Sequence, residues 1–166
     1  IPVPFRIAST ATVPVGGYNY DNVKLTFNIG QQRPYNGIAS VERGSLYGGT
    51  KTAVGFSRGR MRLAMKLSVE PTITLNHVEL PQGSFNTNLI GSRATFTPTA
   101  LMFVSALVQY NSTARSLAAN VRFRWEYIPG SELFVVYNDQ RDTRGLGFPD
   151  LTNRAFIVKV NRLIRF

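Results

Sequence analysis

Between residues 117 and 127 the chain alternates with a period of two. Leu117, Ala119, Val121, Phe123, Trp125 and Tyr127 fall on one side, and Ala118, Asn120, Arg122, Arg124 and Glu126 on the other. Successive side chains of an extended strand point to opposite faces, so this segment predicts a strand set between an apolar medium and a wet one. The pattern recurs at Met102, Val104, Ala106, Val108 and Tyr110, although Phe103 and Leu107 blur the polar side. Leu67, Val69, Pro71, Ile73 and Leu75 repeat it against Ser68, Glu70, Thr72, Thr74 and Asn76. Val23, Leu25, Phe27 and Ile29, then Thr52, Val54 and Phe56, carry it near the start. Phe156, Val158, Val160, Ile164 and Phe166 carry it at the end, with Arg162 as the exception.

Three further stretches, 37–47, 85–97 and 132–138, are strand-like by β-branched and aromatic content. In the last, Leu133, Val135 and Tyr137 compete with Phe134 and Val136 for the apolar side. The sum is about nine strands with residues 1–21 mainly loop, and no capped segment holds a 3.6-residue period. The predicted fold is all-β, an antiparallel up-and-down meander of long strands. Its links alternate in kind. Those at 128–130 and 98–99 read as tight, and those at 81–83, 111–115 and 139–153 as longer and more polar, with Gly48 and Gly49 breaking the alternation.

A meander of this kind fits a soluble two-sheet sandwich or a membrane barrel. Predicted strands of roughly ten to twelve residues exceed the usual ~5 to 6 and match what a tilted strand needs to cross hydrocarbon. Aromatic residues also gather near the predicted strand ends, where a membrane girdle would place them. These favour the barrel. No stretch reaches the ~18 apolar residues of a spanning helix.

Charge adds to this picture. The 19 Lys and Arg against 9 Asp and Glu give a formal net charge of +10. Such a field attracts anionic membrane surfaces, lipopolysaccharide phosphates, anionic solutes or nucleic acid. With no cysteine, disulfides and thiolate metal sites are excluded. The chain begins at Ile1 without a signal segment, so it reads as a processed product or a piece of a longer protein.

The last segment, NRAFIVKVNRLIRF, resembles the C-terminal strand of bacterial outer-membrane proteins, which ends in Phe and is read by the barrel-assembly machinery through strand addition. The run FVSALVQYNSTARSLAANVRFRWEYIPGSELFVVYNDQRDT with that ending resembles the end of a family of large outer-membrane proteins. There a carbohydrate-binding-like domain of the family 9 type precedes an uncharacterised barrel of the DUF5916 type. The resemblance implies the C-terminal part of a transmembrane barrel in the bacterial outer membrane. Its implied partners are outer-membrane lipid, lipopolysaccharide, the assembly machinery and the missing N-terminal part of the same protein. A channel or receptor connected with carbohydrate transport and handling, neither an enzyme nor a nucleic-acid binder, is the expectation. A soluble basic all-β binding module, capsid-like or nucleic-acid-binding, is the alternative.

On the barrel reading, Lys24, Lys51, Glu70, Arg93, Arg122, Arg124, Glu126, Lys159 and Arg165 face a wet lumen. Tyr110, Phe123, Trp125, Tyr127, Phe156 and Phe166 face lipid or form the girdle. The basic residues either attract anionic solutes or hold a plug, or they pair with Glu70 and Glu126 across strands, which is the favoured structural role.

Catalytic signals are weak. His77, the one histidine, reads as a rim residue in preference to a general base, because spacing locates neither a serine nor an orienting carboxylate for it. Asp139, Arg141, Asp142, Arg144 and Asp150 match no calcium loop and read as a solvated charged loop. Gly48, Gly49, Gly145 and Gly147 read as turns, Asn111–Ser112–Thr113 as a sequon without consequence, and no cofactor or metal is expected.

Overall fold

The structure is a computed structural model, and it describes residues 1–8, 11–30, 32–145 and 147–164. Two short strands, β1 (Phe5–Ala8) and β2 (Ala11–Val13), pair with each other within the first 21 residues. They are followed by β3 (Asn22–Ile29), β4 (Tyr35–Leu46), β5 (Gly49–Ala64), β6 (Leu67–Leu80), β7 (Gly83–Thr99), β8 (Met102–Asn111), β9 (Ser116–Ile128), β10 (Ser131–Asp142) and β11 (Asp150–Asn161). No helix occurs among the described residues.

Strands β3 to β11 form one sheet in chain order, every neighbour antiparallel, with β3 and β11 at its two edges. This is the expected nine-strand meander. The sheet is open, and its strands do not divide into two packed layers. Most strands run 10 to 17 residues, twice or more the common ~5 to 6. In β10 the contest over facing resolves for Leu133, Val135 and Tyr137, which stand opposite Trp125, Phe123 and Val121.

Turn chemistry sets the register. Tyr47 and Gly48 both hold positive φ (50° and 78°), the arrangement of the two-residue hairpin turn whose twist matches its strands. Pro129 and Gly130 form a two-residue turn of a different type, in which proline holds its fixed negative φ and Gly130 takes φ 78°, where only glycine is unstrained. The link at 81–83 is shorter than expected: Leu80 pairs with Gly83, leaving Pro81 and Gln82 as a two-residue turn. The tight link placed at 98–99 lies two residues on, at Ala100 and Leu101, because β7 continues through Thr99. The link expected over 139–153 shrinks to 143–149, its flanks being absorbed into β10 and β11. One rim thus carries links of mixed length, and the opposite rim has the five-residue β3–β4 link beside three two-residue turns.

A second difference lies at the C-terminus. The last strand stops at Asn161 instead of running to the chain end. Its partner β10 begins only after the Pro129–Gly130 turn, so the ladder has no acceptor beyond Glu132 opposite Asn161. The Leu163 amide donates instead to the Ser131 hydroxyl at 3.0 Å, which draws the chain off the sheet beside Gly130. Arg162 therefore occupies no strand face, while Arg165 and Phe166 lie outside the described residues.

Among the described residues the buried apolar core is confined to one corner. Ala11 and Val13 of β2 pack on Val78 and Leu80 of β6, flanked by Ile7, Tyr18, Leu46 and Phe85. Elsewhere both faces of the sheet stand open. The chain exposes 11714 Å², whereas a compact water-soluble chain of 18.5 kDa exposes about 8,200 Å² by size scaling.

Candidate functional site: one sheet with two unlike faces

Cross-strand pairing sorts the side chains into two sets. One row runs Leu25, Val41, Val54, Leu75, and another runs Ala94, Ala106, Val121, Tyr137, Phe156. A third joins Phe96, Val104, Phe123, Val135 and Val158, and a fourth joins Met102, Trp125, Leu133 and Val160. Directly opposed side chains on one face touch, so these rows merge into a single apolar surface. It stays uncovered: Leu25 is 71% exposed, Val54 45%, Trp125 41% and Phe156 67%. A scattered exposed apolar residue is ordinary, but a continuous face of them marks a contact surface.

Of the residues assigned to the girdle, Tyr110, Phe123, Trp125 and Phe156 share this face. Tyr127 sits at the irregularity where β9 meets β10. Its ring lies 6.0 Å from that of Trp125, and its hydroxyl donates to the Asn161 carbonyl at 3.0 Å. Phe166 lies outside the described residues.

Toward the rim of the β6–β7 and β10–β11 links, the same face turns polar, with Arg43, Thr52, His77, Glu79 and Asn86 on β4 to β7. His77 takes both ring nitrogens into this belt, 2.5 Å from Asn86 Oδ1 and 3.1 Å from Glu79 Oε1. On β10 and β11 the belt is an ion cluster. Asp139, 8% exposed, accepts from Arg154 Nη2 at 2.8 Å, Arg141 Nε at 2.6 Å and the Tyr137 hydroxyl at 3.1 Å. The Arg141 guanidinium also lies 4.7 Å over the Phe148 ring. The solvated-loop expectation for these charges is corrected here. Asp139, Arg141 and Asp142 belong to β10 and Asp150 opens β11, so the strand ladder itself aligns Asp139 opposite Arg154. Among the described residues no group of three His, Asp or Glu side chains is placed to hold a metal ion.

The opposite face collects charge. Lys24, Lys51, Glu70, Arg93, Arg122, Arg124, Glu126 and Lys159 all belong to it by register; Arg165 lies outside the described residues. The pairings differ from those expected. Glu70 bonds Arg60, at 2.8 Å, in place of Arg93 directly across from it. Among the described residues Glu126 pairs with no cation; its carboxylate accepts the Gly130 amide at 3.0 Å and braces the turn. Arg124 pairs with Glu132, while Glu42 lies 3.4 Å from Lys51 and 3.8 Å from Lys24.

Arg60 and Arg62 on this face escape strict alternation because β5 breaks register between Phe56 and Met61, where Arg58 adopts φ 51°. The unusual G-F-S-R-G-R spacing, glycines flanking the break, is the signal that marks it. Glu42 and Glu132 were legible only as members of their strands. No protein-family model, no curated protein and no solved structure matches the chain.

Proposed function

We propose that this sheet is part of the wall of a bacterial outer-membrane β-barrel, a channel- or receptor-like protein without catalytic chemistry. The observation that carries the reading is the single uncovered sheet whose apolar face is backed by a charged one. Both faces are accounted for at once if the apolar rows meet lipid tails and the charged rows meet water inside. On β6 the apolar series from Leu67 to Leu75 covers about 27 Å along the strand, or about 20 Å in height at a 40° tilt, close to the ~25 Å band of such barrels. The polar belt with His77 and Asp139 then sits at the headgroup level, and Trp125 with Tyr127 at the other interface.

Nine antiparallel strands leave β3 and β11 running in the same direction, so an all-antiparallel wall closes only by adding an odd number of further strands. On this reading those strands come from the rest of a longer protein or from another chain. The resemblance to the DUF5916-type barrels is what suggests a connection with glycan handling. The alternative, a soluble basic module, requires a partner over the whole apolar face. A hydrolase centred on His77 finds little support, since Asn86 and Glu79 hold its ring and the surrounding belt is open.

Cysteine scanning along β9 tests the proposal in whole cells. Val121→Cys and Phe123→Cys should react with a lipid-soluble maleimide and resist a charged one, and Asn120→Cys and Arg122→Cys should do the reverse. Uniform labelling by the charged reagent would overturn the membrane assignment.

A further inference from the structure

On the charged face, a cavity of about 240 Å³ lies across β5 to β9, lined by Arg60, Glu70, Arg93, Thr95, Ser105 and Arg122, with Leu107 and Phe103 also in its lining. Three guanidinium groups face one carboxylate, and that carboxylate already bonds Arg60. Among the described residues Arg93 has no hydrogen-bond or ion-pair partner, and Arg122 uses only Nε, toward Asn120 Oδ1 at 3.0 Å. The ladder aligns Thr95 opposite Ser105 and Ser105 opposite Arg122, and Thr95 lies two residues along β7 from Arg93, so two hydroxyl donors share the face with both guanidinium groups. Spare positive charge beside apolar lining attracts a counter-anion, and a planar fork with flanking hydroxyls matches the spaced oxygens of an oxyanion.

We propose that Arg93 and Arg122, with Thr95 and Ser105, form a binding site for a compact oxyanion of the phosphate class. The site uses one face of the sheet only, so it stands whether or not the opposite face meets lipid.

The test is titration of the full-length protein with inorganic phosphate, followed by ³¹P line broadening at low ionic strength. Arg93→Gln and Arg122→Gln should each weaken binding about tenfold or more, the double variant should abolish it, and Arg144→Gln, on the β10–β11 link at the opposite rim, should bind as the wild type does. If Arg93→Gln does not fold, Arg93→Lys keeps the charge and loses the fork, and a threefold or larger loss supports the site. Absence of phosphate binding by the wild type, equal losses in all three single Gln variants, or full affinity in Arg93→Lys would overturn it.

Discussion

Val13 and Trp125 are both large apolar residues of a chain with few places to hide them, yet their surroundings are opposite. Val13 is fully buried, pressed with Ala11 onto Val78 and Leu80, whereas Trp125 is 41% exposed beside Tyr127 of its own strand. Inside the β1–β2 corner, apolar surface is satisfied by the protein's own chain. Across the opposite face of the sheet it is left for something outside the chain. The contrast teaches that alternation specifies where apolar side chains point, while coverage by further elements decides what medium they meet.

The largest test of this contrast is a charge placed on the bare face. Val121→Arg should cost about 2–4 kcal/mol in a bilayer if its position is near mid-depth, read from denaturant unfolding in lipid. Asn120→Arg, one residue away on the charged face, should cost much less. Equal losses would erase the distinction between the faces. At the covered corner, Val13→Ala should cost about 2 kcal/mol. That loss should appear as faster amide exchange in β1 and β2 while β7 to β10 keep their protection. Gly130→Ala sharpens the comparison at the turn, where about 1 kcal/mol is expected from φ 78° and from crowding against Leu163. The smallest effect is at the polar belt: His77→Ala should leave thermal unfolding and any ester hydrolysis unchanged, and a loss of hydrolysis would restore the catalytic reading.

Most of the sheet was legible because side-chain alternation is a local property, strongest where the two environments differ most. Residues 117–127 displayed it fully, 102–110 and 67–75 repeated it, and 85–97 showed only a strand-like content. What was not legible depends on pairing. The break in β5 hides Arg60 from any period-two count, and the end of β11 is set by where β10 begins, information that lies about thirty residues upstream. The charged residues around Asp139 looked like a loop because neither Arg141 nor Asp142 is a strand former, yet the ladder to β9 and β11 overrides that preference. The β1–β2 hairpin, three and four residues per strand, is too short to show a period at all. For the charged face, the residues were foreseeable and their partners were not, since long side chains reach diagonal neighbours as readily as direct ones.

The corner packing also has a kinetic side. Every pairing within the nine-strand sheet joins segments adjacent in the chain, so each hairpin can zip from its own turn, whereas docking β2 onto β6 brings together segments separated by three intervening strands. Closing that span is the costlier step, and its target, Val78 beside Phe85, exists only once β6 and β7 have paired. The N-terminal hairpin should therefore engage last, as a latch, and refolding followed at Tyr18 should lag behind refolding followed at Trp125.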